Sequence, residues 1–467
     1  MAWTPTRRDL FRSALIAGAG LPWIGSRLTA QDPSPVPPPA PTVRSLWLDA
    51  AVKAARWIRT ARVQTPQGLL WLEGPERPDG LRSSPELYSG TSGVVLFLLE
   101  LARATGDSSW LEEASAGADH LLATLPNALD TEEGGGDALY TGVSGIGFTL
   151  HQTFKATGKE TYRQGTVRCL DLIHAAARPS GDGISWGPVT DIVAGAAGTI
   201  LFLLRMAREL DRPASRELAL KAGLWLAGLG TPEAGGLKWK WATLPQASER
   251  LMPNFSHGTA GIAYALATLH LETGRKEPLD AAVAGGRYLQ AVADTSGDGC
   301  LVFHHEPGGK DLHYLGWCHG PVGTSRLFLQ LARATGDENW QEWELRGARS
   351  LLKSGIPEKP TPGFWNNAGQ CCGSAGVAEF FLQLHGRTRD PEHLAFARRV
   401  ARNLLDRATP AGDGLKWVHA EHRVRPDYTY AQTGYMQGAA GIGMFLLHMD
   451  AVERGREWTF RLPDSPY

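Results

Sequence analysis

Seven times along the chain, a pair of glycines three residues apart is followed by a run that starts almost continuously apolar and turns polar toward its end. The pairs are Gly90/Gly93, Gly142/Gly145, Gly195/Gly198, Gly258/Gly261, Gly320/Gly323, Gly373/Gly376 and Gly438/Gly441. Runs such as VVLFLLELARATGD and IGMFLLHMDAVERG have helical character. A helix apolar on every face must be surrounded by protein, so these are expected to be seven inner helices. Between them lie stretches with a single apolar stripe, at 45–63, 110–125, 162–177, 215–229, 278–294, 340–354 and 391–408, which read as seven outer helices. The alternation predicts an all-α chain folded as an α/α toroid, an inner ring inside an outer ring. An open solenoid would need polar caps, yet YSGTSGVVLFLL and MQGAAGIGMFLL, from the terminal repeats, are as apolar as the middle ones, so closure is expected. Closure also accounts for a length of 467 residues, more than one core usually holds.

Loops between outer and inner helices repeat a glycine followed by an aromatic, as in 67–71, 183–186, 236–241, 363–365 and 414–417. They are expected to form short hairpins over one face, with the aromatics packed on helix ends in preference to the alternative of touching substrate. The Gly-x-x-Gly motifs open the inner helices, so the residues before them converge near the axis on that face.

The start of the chain has another character. Thr6-Arg7-Arg8-Asp9-Leu10-Phe11-Arg12 precedes a modestly apolar stretch to Gly25, and Leu28-Thr29-Ala30 ends on a small residue. That order resembles a twin-arginine export signal over residues 1–30, which implies export machinery as a partner and a periplasmic or extracellular destination. Left uncleaved, the same segment would anchor the protein. Six prolines between positions 33 and 41 make 31–43 an extended spacer, so the toroid is expected over 44–467. Charge excludes other partners. Forty-seven basic against 48 acidic residues leave a net −1, and loss of 1–30, with four arginines and one aspartate, would leave −4. Neither value provides a field for nucleic acid.

Aligning the repeats isolates the chemistry. Directly before the first glycine stand Ser89, Thr141, Ala194, His257, His319, Cys372 and Gln437. One position earlier stand Tyr88, Tyr140, Val193, Ser256, Cys318, Cys371 and Met436. Cys318, Cys371 and Cys372 belong to neighbouring repeats. Three thiolates suit zinc with an open fourth position, as catalytic sites keep; a vicinal disulfide or a reactive thiol would use the same residues. Cys169, in an outer helix, and Cys300, in a loop, occupy no motif position and read as structural.

The words SHGTAG at 256–261, WCHGPVG at 317–323 and CCGSAG at 371–376 resemble those of the lanthionine synthetase C-like cyclases, and the resemblance runs from Arg44 to about Arg456. It implies a toroid of seven helix pairs with zinc held by the cysteine of the W-C motif and a Cys-His pair in the next repeat. Cys318 and Cys371 match two ligands. The third falls on Cys372, where most members have histidine and a subset of bifunctional synthetases has cysteine. The implied reaction adds a thiol to dehydroalanine or dehydrobutyrine and closes a thioether. His257 and Asp191 match positions given acid–base work, and His319, beside a ligand, is a further candidate.

Two departures widen the expected substrate. Ring-forming bacterial members have an arginine shortly before the W-C motif, where this chain has His313 and Tyr314, and the W-C-H-G form is closer to eukaryotic relatives that use glutathione. The thiol is therefore expected to come from a peptide cysteine or from an external molecule. The toroid leaves no room for a dehydratase, so a separate enzyme must make the dehydroamino acid. Two other readings use the same architecture. One is an exported carbohydrate-active toroid working through a carboxylate pair such as Glu86 and Asp191, and the other a non-catalytic peptide-binding protein with structural zinc.

Overall fold

A computed structural model describes residues 45–467 except 131–133, 245–249, 457 and 459. The expected export signal and proline-rich spacer lie outside the described residues. Odd-numbered helices form the outer ring: α1 (Leu46–Thr60), α3 (Ser108–Ala123), α5 (Glu160–Ala176), α7 (Pro213–Gly228), α9 (Lys276–Val292), α11 (Asn339–Lys353) and α13 (Pro391–Asp406). Even-numbered helices form the inner one: α2 (Thr91–Thr105), α4 (Val143–Thr157), α6 (Ala196–Glu209), α8 (Thr259–Thr273), α10 (Pro321–Thr335), α12 (Ser374–Thr388) and α14 (Ala439–Glu453). Each inner helix packs on the outer helix that follows it and on the inner helices either side, and α14 returns to pack on both α1 and α2. The ring is closed. At the seam Ser45 caps α1 and donates to Asp450, and the Trp47 indole donates to Glu453 at 2.8 Å.

The outer helices begin and end within about three residues of the stripes read from sequence. The two central inner residues of α2, Phe97 and Leu98, are typical in being essentially inaccessible, and burying such side chains contributes roughly 1.5–3 kcal/mol each. In every repeat the first motif glycine caps the helix and the second lies in its first turn. The second glycine is required by close approach. A Cβ at Gly323 would collide with the Trp317 carbonyl oxygen, and one at Gly441 with that of Tyr435.

Four of the five loops form the expected hairpins: β1 (Arg62–Thr65) with β2 (Gly68–Trp71), β3 (Arg178–Ser180) with β4 (Gly183–Ser185), β5 (Thr231–Glu233) with β6 (Gly236–Lys238), and β7 (Thr409–Ala411) with β8 (Gly414–Lys416); the loop at 363–365 makes only an isolated bridge, Thr361 with Phe364. The tryptophans of the last three finish the outer helices. Trp186, Trp239 and Trp417 donate from Nε1 to the carbonyls of Ile173, Leu226 and Leu404 at 2.7–2.8 Å, satisfying acceptors the helix end leaves free. A last hairpin, β9 (Val418–Ala420) with β10 (Thr429–Ala431), carries the 421–428 loop. No helix among the described residues is long and apolar enough to cross a membrane.

One feature positions the site. The residues two before each first glycine are joined head to tail by backbone hydrogen bonds around the axis, with a single break between Val193 and Ser256. Tyr88 N–H donates to Tyr140 O at 3.0 Å, Tyr140 to Val193 at 3.1 Å, Ser256 to Cys318 at 2.9 Å and Cys318 to Cys371 at 3.1 Å. Cys371 then donates to Met436 at 2.9 Å and Met436 back to Tyr88 at 2.8 Å.

Candidate metal centre at the toroid mouth

The train of backbone hydrogen bonds brings the three motif cysteines together, because Cys318 and Cys371 occupy adjacent places on it. The Sγ of Cys372 lies 3.2 Å from that of Cys318 and 3.3 Å from that of Cys371. Among the described residues this trio is the one set of three metal-type ligands whose atoms all fall within 4.8 Å. Tetrahedral zinc with bonds of about 2.3 Å separates sulfurs by roughly 3.8 Å, so the cluster needs to spread by about half an ångström to hold it. Donor type and number fit zinc, and the spacing does so after that small spread. Burial pushes the Cys318 and Cys371 thiols up, while Cys372, between the other two sulfurs, is held well below its ordinary value by hydrogen bonds from both. A divalent cation would draw off the remaining protons. Cys169 and Cys300 are elsewhere, each buried in apolar surroundings that push its thiol up to about 12, and neither enters the site.

The sulfurs sit in a cavity of about 250 Å³. His257 and His319 line it, with ring centroids 5.8 Å apart. Asp191 stands behind His257, buried to 1 % exposure, with Oδ2 2.6 Å from His257 Nδ1 and Oδ1 accepting from Ala194 N–H at 2.7 Å. The carboxylate therefore fixes the imidazole with its Nδ1 proton inward and leaves Nε2 for chemistry. Burial pulls His257 down, but the Asp191 charge and hydrogen bond outweigh it and hold the ring above its ordinary value. His319 behaves oppositely. Burial, with His304, His257 and His305 nearby, pushes it well below the usual histidine range.

Other lining residues were not among the site candidates read from sequence. Tyr88 reaches in from the first repeat and accepts from Gln437 Nε2 at 3.0 Å. His304 lies against His319 with ring centroids 4.2 Å apart, and Trp365 against Tyr314 at 5.1 Å. Trp365 is thus a hairpin aromatic that faces the site instead of a helix end. The 421–428 loop adds Glu421, His422 and Arg423, and the Arg423 charge lies close enough to Tyr314 to favour its ionised form. Of these residues, Tyr88 and Gln437 were visible in the aligned motif positions, whereas His304 and 421–423 lie outside the repeat register.

The pattern of the family described as lanthionine synthetase C-like protein matches residues 83–461. The chain belongs to this family. Among solved structures this family member resembles nisin cyclase, with a TM-score of 0.60 at 15 % identity over 87 % of this chain and 94 % of that one, which establishes the α/α toroid. The same fold recurs in an unsaturated glucuronyl hydrolase specific for heparin, TM-score 0.51 at 12 % identity over 87 % of this chain and 98 % of the other. In sequence it is 28 % identical over 139 residues to the Danio rerio protein named glutathione S-transferase LANCL1, a stretch covering 30 % of this chain. That stretch spans about a third of the relative's length, 32 %.

Proposed function

We propose that the protein is a thioether-forming enzyme of the cyclase type, which adds a thiol to a dehydroalanine or dehydrobutyrine residue with zinc held by Cys318, Cys371 and Cys372. The observation that carries this reading is the meeting of three sulfurs with a carboxylate-oriented imidazole in one cavity. Zinc, when bound, supplies the Lewis acidity that keeps a substrate thiol deprotonated near neutral pH. As the carbon–sulfur bond forms at the β-carbon, the alkene electrons move toward the neighbouring carbonyl, and the α-carbon must then gain a proton. His257 delivers it from Nε2, with Asp191 stabilising the charged ring at Nδ1 before the transfer. The thiol releases one proton and the α-carbon takes one, so the addition is balanced without a redox partner. His319, neutral beside the ligand set, helps shape the cavity and orient the substrate.

The substrate is a dehydrated peptide whose dehydroamino acid comes from a separate dehydratase. Its thiol is a cysteine of the same peptide or a small external thiol. Asp191 is engaged by His257 and Ala194, and Glu86 by Ser89 at 2.6 Å, so neither stands as the free carboxylate pair that a sugar-cleaving reading requires. The Arg7-Arg8 signal supports action outside the cytoplasm. The decisive experiment incubates zinc-loaded protein with a dehydroalanine peptide, with and without an internal cysteine, in the presence of glutathione, and follows mass and free thiol. Loss of the peptide thiol at unchanged mass marks ring closure, and a gain equal to glutathione marks an external thiol. Binding without either product would refute the enzyme and leave a peptide-binding protein.

A further inference from the structure

The segment after α14 returns to the axis beneath the sulfur cluster. Phe460 packs on Tyr435 and Phe148 at ring distances of 6.2 and 6.1 Å, and the Tyr467 hydroxyl meets Glu344 at 3.1 Å. Between these anchors Asp464 is completely buried. Its Oδ2 accepts from Arg326 Nη1 at 2.8 Å and from Trp317 Nε1 at 3.2 Å. Arg326 also donates to the Asp464 carbonyl at 3.0 Å. A buried ion pair seals a barrel no better than apolar side chains of the same volume, so its value must lie in what it orients. Trp317 immediately precedes Cys318, and its indole packs edge-on against Tyr140 and Phe255 at 5.3 and 5.6 Å. The backbone of Cys318 is tied to Ser256 and Cys371 by the axial train of hydrogen bonds, which leaves the Trp317 side chain to fix the residue from below.

We propose that Asp464 is a positioning residue for the metal centre, holding Trp317 and through it Cys318 in register with Cys371 and Cys372. This rests on the thiolate–zinc reading above. The test loads full-length protein with zinc or cobalt(II) and follows transfer of the metal to a chromogenic chelator, together with the cobalt–thiolate absorption. Three variants are compared. Asp464→Asn keeps size but removes the charge, Trp317→Phe keeps the aromatic packing but removes the donor, and Tyr467→Phe loosens the same segment away from Trp317. Asp464→Asn and Trp317→Phe are expected to release metal at least tenfold faster and to alter the cobalt spectrum, with Tyr467→Phe like wild type. Should Asp464→Asn fail to fold, Trp317→Phe, which keeps the Asp464–Arg326 pair, decides alone. Wild-type release rates and spectra in both variants would overturn the role of Asp464 while leaving the zinc reading intact. A wild type that takes up no metal would overturn both.

Discussion

Replacing Asp191 by asparagine tests the acid–base pair with little change in shape. One oxygen of Asp191 accepts from Ala194 N–H at 2.7 Å and the other faces His257 Nδ1 at 2.6 Å. An amide has one oxygen and one NH2, and the backbone N–H claims the oxygen. The NH2 must then face Nδ1, which is compatible with a neutral ring protonated at Nε2 but sets two donors against each other once the ring is charged. Burial still pulls the ring down, and the charge that had outweighed it is gone. The charged acid is depopulated, and positioned acid–base groups contribute about 10²–10⁴ in rate. The expected loss in kcat at neutral pH is at least about 100-fold, or about 2.7 kcal/mol of transition-state stabilisation. Because the acid form is needed, activity falls as pH rises through the His257 titration, and in Asp191→Asn that fall moves to lower pH. Steady-state thioether formation across pH, with zinc content and melting temperature measured on the same samples, checks this. Activity within threefold of wild type, or loss of zinc along with activity, would refute the assignment.

Three further outcomes follow from the geometry and one from the sequence. Cys372→Ala should abolish stoichiometric zinc in elemental analysis whereas Cys372→His should retain it, since imidazole is an equally good ligand; equal loss in both would argue against a ligand at this position. Burial raises the Asp137 carboxyl to about 6, although Thr199 Oγ1 donates to it at 2.7 Å. A carboxyl raised above its unfolded value of about 3.9 costs stability progressively above that pH, so Asp137→Asn should stabilise at pH 7 by up to about 3 kcal/mol and be near neutral at pH 4; urea unfolding at both pH values checks the sign. Gly323→Ala, whose methyl group would strike the Trp317 carbonyl, should lower stability by about 2 kcal/mol or more, while Gly386→Ala, in α12 with open space around it, should raise it by roughly 0.5–1 kcal/mol; thermal melts that rank the two alike would count against the close-packing argument. Finally, Arg7→Lys with Arg8→Lys should keep a reporter fused to residues 1–43 in the cytoplasm, and continued export would remove the twin-arginine reading.

The repeats carried most of the architecture because each glycine pair marks a backbone contact that no side chain tolerates, and such constraints are visible in sequence. The same register exposed Cys318, Cys371, Cys372, His257 and His319, since a residue that breaks an aligned column of small or apolar neighbours stands out. His304 and Arg423 were not legible. They sit in loops of irregular length, where no register says which residue will reach the axis. Asp464 lies beyond the last repeat, and nothing about one aspartate between a proline and a serine marks it as fully buried. Trp365 was hidden for the opposite reason, since its resemblance to Trp186, Trp239 and Trp417 suggested a helix-end role that its own loop does not give it.

The train of backbone hydrogen bonds around the axis works as a row of interchangeable seats. Distance between seats is set by peptide geometry, so the stretch of chain connecting one seat to the next can lengthen without moving either occupant, which is how spacings from 52 to 65 residues coexist with sulfurs 3.2 Å apart. Ser256 occupies the seat next to Cys318, its N–H bonded to the Cys318 carbonyl, so the backbone there is held in the same way as at the cysteine positions. Reactivity in such a row can therefore be rewritten one seat at a time, around a frame indifferent to which side chains it carries.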